Sequence, residues 1–159
     1  MPDRSYLSPA VRTFAAGVVV FLTASCGGYG AVDVDPFTTE SDTADTCSAL
    51  LDDLPQVVDD AIRRDVSPAD LPAAAWGQPA IVLRCGVPMP AAYAPDAQLL
   101  DVDGIGWLPV EAEGGSLFTS VDRTVLVEVA IPDDYEPAVN VLTDLTDVLT
   151  EHLPERPFQ

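Results

Sequence analysis

The groups that most often carry nucleophilic, redox or metal chemistry are scarce in this sequence: three cysteines, Cys26, Cys47 and Cys85, and one histidine, His152. A dithiol redox centre uses C-x-x-C spacing and a zinc site uses two ligand pairs. Neither pattern occurs. A hydrolytic triad would have to run through His152, which lies near the end of an apolar-periodic segment, where a cation complements the helix dipole without any catalysis. Paired carboxylates serve glycosidases, but the 26 acidic side chains offer too many pairs to nominate one. The stretch Asp101-Val102-Asp103-Gly104-Ile105-Gly106 begins like a calcium-binding loop. It then puts Ile105 at the fifth ligand position, Ala112 at the twelfth and Pro109 where the exit helix should start. It reads as a hairpin turn with two solvated carboxylates. The sequence therefore nominates no catalytic residue, no metal site and no cofactor.

Recognition is the other chemistry open to it. All seven basic residues are arginine, and the formal charge is −19, which leaves no basic footprint for phosphates and excludes nucleic acid as a partner. In so acidic a chain Arg84 and Arg123 are most simply ion-pair partners. Trp76 and Trp107, each flanked by glycine, are most simply core fillers. The functional reading beside this is a ligand groove walled by Trp76 or Trp107, in which Arg84 or Arg123 binds an anionic group of a cell-wall or other envelope ligand.

The first residues are an address. Arg4 and Arg12 precede TFAAGVVVFLTAS, an uncharged run that ends at Cys26 and is followed by Gly27-Gly28-Tyr29-Gly30. That is a signal peptide over residues 1–25, too short to span a bilayer and followed by residues that do not continue a helix. LTASC resembles a bacterial lipobox, with Ala24 and Ser25 well placed and Thr23 where leucine is usual. Cys26 is expected to be acylated and to become the mature N-terminus, which holds the protein on the outer face of the cytoplasmic membrane. Cleavage by an ordinary signal peptidase near the same place, giving a secreted chain, and no cleavage at all are the alternatives. Removal of residues 1–25 leaves 25 acidic and 5 basic side chains. Residues 26–46, polar, acidic and rich in Gly and Thr, read as a flexible tether with a reach of roughly 25 Å.

With Cys26 acylated, an even pair remains in a disulfide-permissive compartment, so Cys47 and Cys85 are expected to be bonded. The elements they join can be read from pattern. A short helix is expected from Cys47 to Asp53, broken by Pro55, and the stretch on to Arg64 is ambiguous. Ala80–Cys85, an apolar run between two prolines, reads as a central strand. Asp103-Gly104 marks a hairpin. SLFTS and RTVLVEVAI follow, the latter with Val125, Val127, Val129 and Ile131 alternating. From Pro137 to Leu153, Val139, Leu142, Leu145, Val148, Leu149 and Leu153 share the face of the longest helix. The expected fold is α+β in two layers: a mainly antiparallel sheet of four to five strands, two flanking helices and one disulfide, over residues 47–153, with 154–159 as a tail.

The ordered residues Cys47-x-x-Leu50…Leu54-Pro55, Ala75-Trp76-Gly77-x-Pro79…Leu83-Arg84-Cys85-Gly86-Val87, Gly104-x-x-Trp107 and Arg123…Val127-x-Val129…Pro132 resemble one family. It is the actinobacterial exported family of domain of unknown function 3515, and AWGQPAIVLRCG is the most specific stretch. The resemblance implies a small exported or lipid-anchored envelope protein without an assigned activity. Together with the address it gives the expected function: a non-catalytic binding or assembly factor of the cell envelope. A secreted hydrolase working through carboxylates is the alternative.

Overall fold

The computed structural model describes residues 29–156. The expected signal peptide and Cys26 lie outside the described residues. Ten strands and two helices follow in chain order: β1 (Val32–Asp33), α1 (Ala44–Asp53), β2 (Val57–Val58), β3 (Ala61–Arg64), β4 (Val66–Ser67), β5 (Ala73–Trp76), β6 (Ile81–Cys85), β7 (Leu100–Val102), β8 (Ile105–Ala112), β9 (Gly115–Ser120), β10 (Val127–Pro132) and α2 (Val139–His152), with a 3₁₀ turn at Asp133–Tyr135 before α2.

The α+β class is as expected, but the sheet is larger: eight strands instead of four or five, in the order β2-β3-β5-β6-β10-β9-β8-β7, antiparallel throughout. β1 and β4 form a separate parallel pair. The additional strands come from segments with weak β signals. Ala73–Trp76 is mostly alanine, a residue depleted in strands, yet Ala74 and Ala75, which point to opposite faces, are both buried. Thickness, not propensity, explains them: small side chains let material pack close on both sides of the sheet. The ambiguous stretch after Pro55 is the β2–β3 hairpin, whose turn residues Asp59 and Asp60 have φ of 44° and 62°. That two-residue left-handed turn matches the twist of paired strands, and Asp is among the few non-glycine residues that tolerate it.

Residues directly opposite in the ladders share a face. Trp76, Ile81, Leu83, Cys85, Val127, Val129, Phe118, Ile105, Trp107 and Val102 line the inner face, and Leu50 of α1, Leu54 just past its end, and Val141, Leu142, Leu145 and Leu149 of α2 close over it as one core. α2 buries the expected leucines, while Val139 at its start is 40% exposed. Cys47 and Cys85 are bonded, with 5.6 Å between their Cα atoms, which staples α1 to the central strand β6.

The outer face carries Ile62, Arg64, Ala75, Val82, Arg84, Glu128 and Thr119, and here the flexible tether read over 26–46 is corrected. From β1 onward the segment is docked. Val32 pairs with Val66, Val34 is buried and donates its N–H to the Ser67 carbonyl at 2.9 Å, and the Glu40 N–H bonds the Gly86 carbonyl at 2.7 Å. Phe37 lies under the Arg84 guanidinium, and residues 44–46 already belong to α1. Polar composition hid this strap, because it is held by backbone pairing and two arginine stacks rather than by an apolar period. The tail behaves likewise at its start: Glu155 bridges to Arg123, and the Arg156 N–H bonds the Asp122 carbonyl.

Candidate functional site

Strand β3 explains how one cleft of the molecule is built. Arg63 and Arg64 are consecutive, so the pleat must send one inward and one outward. Arg63 turns in, stacks over the Trp76 ring at 5.4 Å and donates to the carbonyls of Leu51 at 3.1 Å and Leu54 at 3.3 Å. Those are orphan carbonyls at the C-terminal end of α1, where a cation also meets the negative end of the helix dipole. Burial lowers the Arg63 pKa and nearby Asp52 opposes that, but a guanidinium stays charged.

Arg64 turns out and forms the floor of a cleft. Its Nη1 donates to the Gly77 carbonyl and to Gln78 Oε1, both at 2.7 Å, its Nη2 donates to the Gly30 carbonyl at 2.6 Å, and the Tyr29 ring stacks on it at 5.3 Å. Its Nε is buried with no partner. Every acceptor that Arg64 hydrogen-bonds is neutral, and Asp59, Asp60 and Asp65 line the same cleft without pairing with it. Tyr135 stands across the cleft, with its hydroxyl donating to the Pro79 carbonyl at 2.8 Å. Burial raises its pKa, and the charges of Asp134 and Asp59 add to this. Gly77, at φ 68°, lets the chain pass beneath that hydroxyl, because a Cβ there would collide with Tyr135 Oη and with Ala61. Ile62, Asp60 and Gln78 complete an opening of about 690 Å³. That is within the range of small-ligand sites.

The residues nominated from sequence are placed elsewhere and apart. Trp76 and Trp107 are wholly buried, on strands separated by β6, β10 and β9. Four strand spacings put them about 19 Å apart across the sheet, so they do not wall one groove. Trp76 Nε1 donates to the Pro55 carbonyl at 2.9 Å, whereas Trp107 Nε1 is buried without a partner. Arg84 pairs with Glu128 at 3.2 Å. Arg123, buried, bonds the Gly104 carbonyl and sits 3.4 Å from Asp122 and 3.9 Å from Glu155. Both arginines are ion-pair partners. His152 Nε2 lies 2.9 Å from Asp53 and ties the ends of the two helices together. Asp103-Gly104 is the hairpin turn between β7 and β8. Among the described residues no group of three or more His, Cys, Asp or Glu side chains could hold a metal ion.

Sequence reading missed the cleft, although one signal was there. Two adjacent arginines in a strand force one charge inward and one outward, and the Asp59-Asp60 pair just before them marks the turn that brings both to a sheet edge. No curated protein and no solved structure matches the chain. A family model described as protein of unknown function (DUF3515) matches residues 9–158, a longer stretch than the Cys47–Leu153 motifs span and one that takes in the strap. The chain belongs to the DUF3515 family.

Proposed function

We propose that this protein is a lipoprotein of an actinobacterial cell envelope, anchored through acylated Cys26 on the outer face of the cytoplasmic membrane, and that it works by binding. The observation that carries the binding reading is the cleft over Arg64: a fixed guanidinium that makes no ion pair, beside two tyrosines, an exposed isoleucine and three aspartates, in an opening of about 690 Å³. A rigid cation flanked by aromatic walls is a recognition device. Tyr135, with its hydroxyl already donated to a carbonyl and its pKa raised, supplies a wall and not a base. The Cys47–Cys85 bond supports an address outside the reducing cytoplasm.

A photoreactive residue placed at Gln78, on the rim, tests this in intact cells. A discrete, saturable adduct that is lost when Arg64 is replaced by methionine is the expected result. Diffuse labelling unchanged by that substitution would overturn it.

A further inference from the structure

We infer that the end of the domain carrying the β2–β3 hairpin and the cleft is seated against the phospholipid headgroup surface, held there by a leash of only three residues. The inference rests on acylation of Cys26, and it follows from where the strap is fastened. Tyr29 stacks on Arg64 and the Gly30 carbonyl accepts from Arg64 Nη2. The contour from Cys26 to Tyr29 is therefore at most about 11 Å, against the roughly 25 Å reach of a free tether of twenty residues. A domain of this size on so short a leash must keep that end at the interface.

The surface at that end suits the position. Tyr29 at 71%, Ile62 at 70% and Val57 at 50% are the three most exposed large apolar side chains among the described residues. Val57 and Ile62 are cross-strand partners on the outer face, the face that Arg64 shares. Arg63 and Arg64 hydrogen-bond only neutral acceptors, so they offset in part the charge of Asp59, Asp60 and Asp65 beside them in a mature chain of 25 acidic and 5 basic residues. Asp144 of α2 reaches this end, where its Oδ2 accepts from the Asp59 N–H at 2.8 Å, while the exposed Asp147 and Glu151 lie farther along the helix. The cleft then opens along the bilayer, and its ligand is a group presented at that surface.

Protein purified from its own membranes, with acylation of Cys26 verified by mass, is placed in phosphatidylethanolamine–phosphatidylglycerol vesicles containing a lipid with a headgroup diazirine, irradiated and mapped by peptide mass spectrometry. Adducts concentrated on the peptides that hold Tyr29, Val57 and Ile62 are expected. They should be lost when a Gly/Ser segment of about 20 residues, with a reach of roughly 25 Å, is inserted between Gly28 and Tyr29. Adducts on Tyr93, Leu99, Leu100 or Val139 at equal yield would overturn the seating, and an unchanged pattern after the insertion would overturn the role of the leash. An unacylated Cys26 would instead remove the anchor on which the inference stands.

Discussion

At the β7 edge of the sheet Arg123 is buried, bonds the Gly104 carbonyl and lies between Asp122 and Glu155, and the C-terminal segment pairs beside it. At the β2 edge Arg64 is equally well held, but by carbonyls, an amide oxygen and an aromatic ring, and a cleft opens over it. The same residue type thus does two jobs. Where carboxylates meet the guanidinium, its field is spent on closing the fold. Where only neutral dipoles hydrogen-bond it, the position is fixed and the guanidinium is left without an ion-pair partner. The tryptophans repeat the contrast inside the core, because Trp76 is tied at both its indole N–H and its ring face, while the Trp107 N–H has no partner.

The Cys47–Cys85 staple belongs to neither edge, and breaking it should give the largest effect. The bond closes a separation of 38 residues, for which the chain-entropy relation gives about 4 kcal/mol. Urea unfolding of a Cys47→Ala/Cys85→Ala chain should show that loss in one transition for both edges, and two separate transitions would break the comparison by showing independent halves. Next comes Arg123→Ala. Removal of a buried cation that leaves its carboxylate unpaired should cost about 3 kcal/mol, read as a lowered urea midpoint. Arg64→Met should cost clearly less stability while abolishing the Gln78 adduct. Equal stability losses at the two arginines would erase the distinction between a closing and a recognising charge.

Much of the fold was legible because period and turn chemistry agree over β10, α2 and the Asp103-Gly104 hairpin. The two cysteines were legible because the expected export and acylation of Cys26 leave them a single pairing. The rest was hidden for physical reasons. Ala73–Trp76 carries no β-branched residue and becomes a strand only because both of its faces are covered. The Asp59-Asp60 turn lacks the glycine that usually announces a left-handed pair. The strap has two paired residues, too few for any period. The site was hidden for the same reason, since Arg64 gains its role from Gly30, Gly77 and Gln78, three neighbours that only the folded chain brings to it.

Two smaller tests sharpen the contrast. Trp76→Phe loses a buried hydrogen bond as well as volume and Trp107→Phe loses volume alone, so the first should cost about 1 kcal/mol more. Tyr135, whose pKa is raised above 10.0 by burial first, favours the folded state only while it is neutral. Its contribution is complete below the unfolded pKa near 10 and lost as pH rises through the folded value. Alkaline unfolding of Tyr135→Phe should therefore show a shallower decline above that pH than the parent chain.

The anchor and the staple together carry the account, and intact-mass spectrometry of the protein from its own membranes, before and after reduction, tests both at once. The predicted mass is that of a chain beginning at acylated Cys26 that gains two hydrogens on reduction. An unacylated chain with Cys47 and Cys85 as free thiols would contradict it.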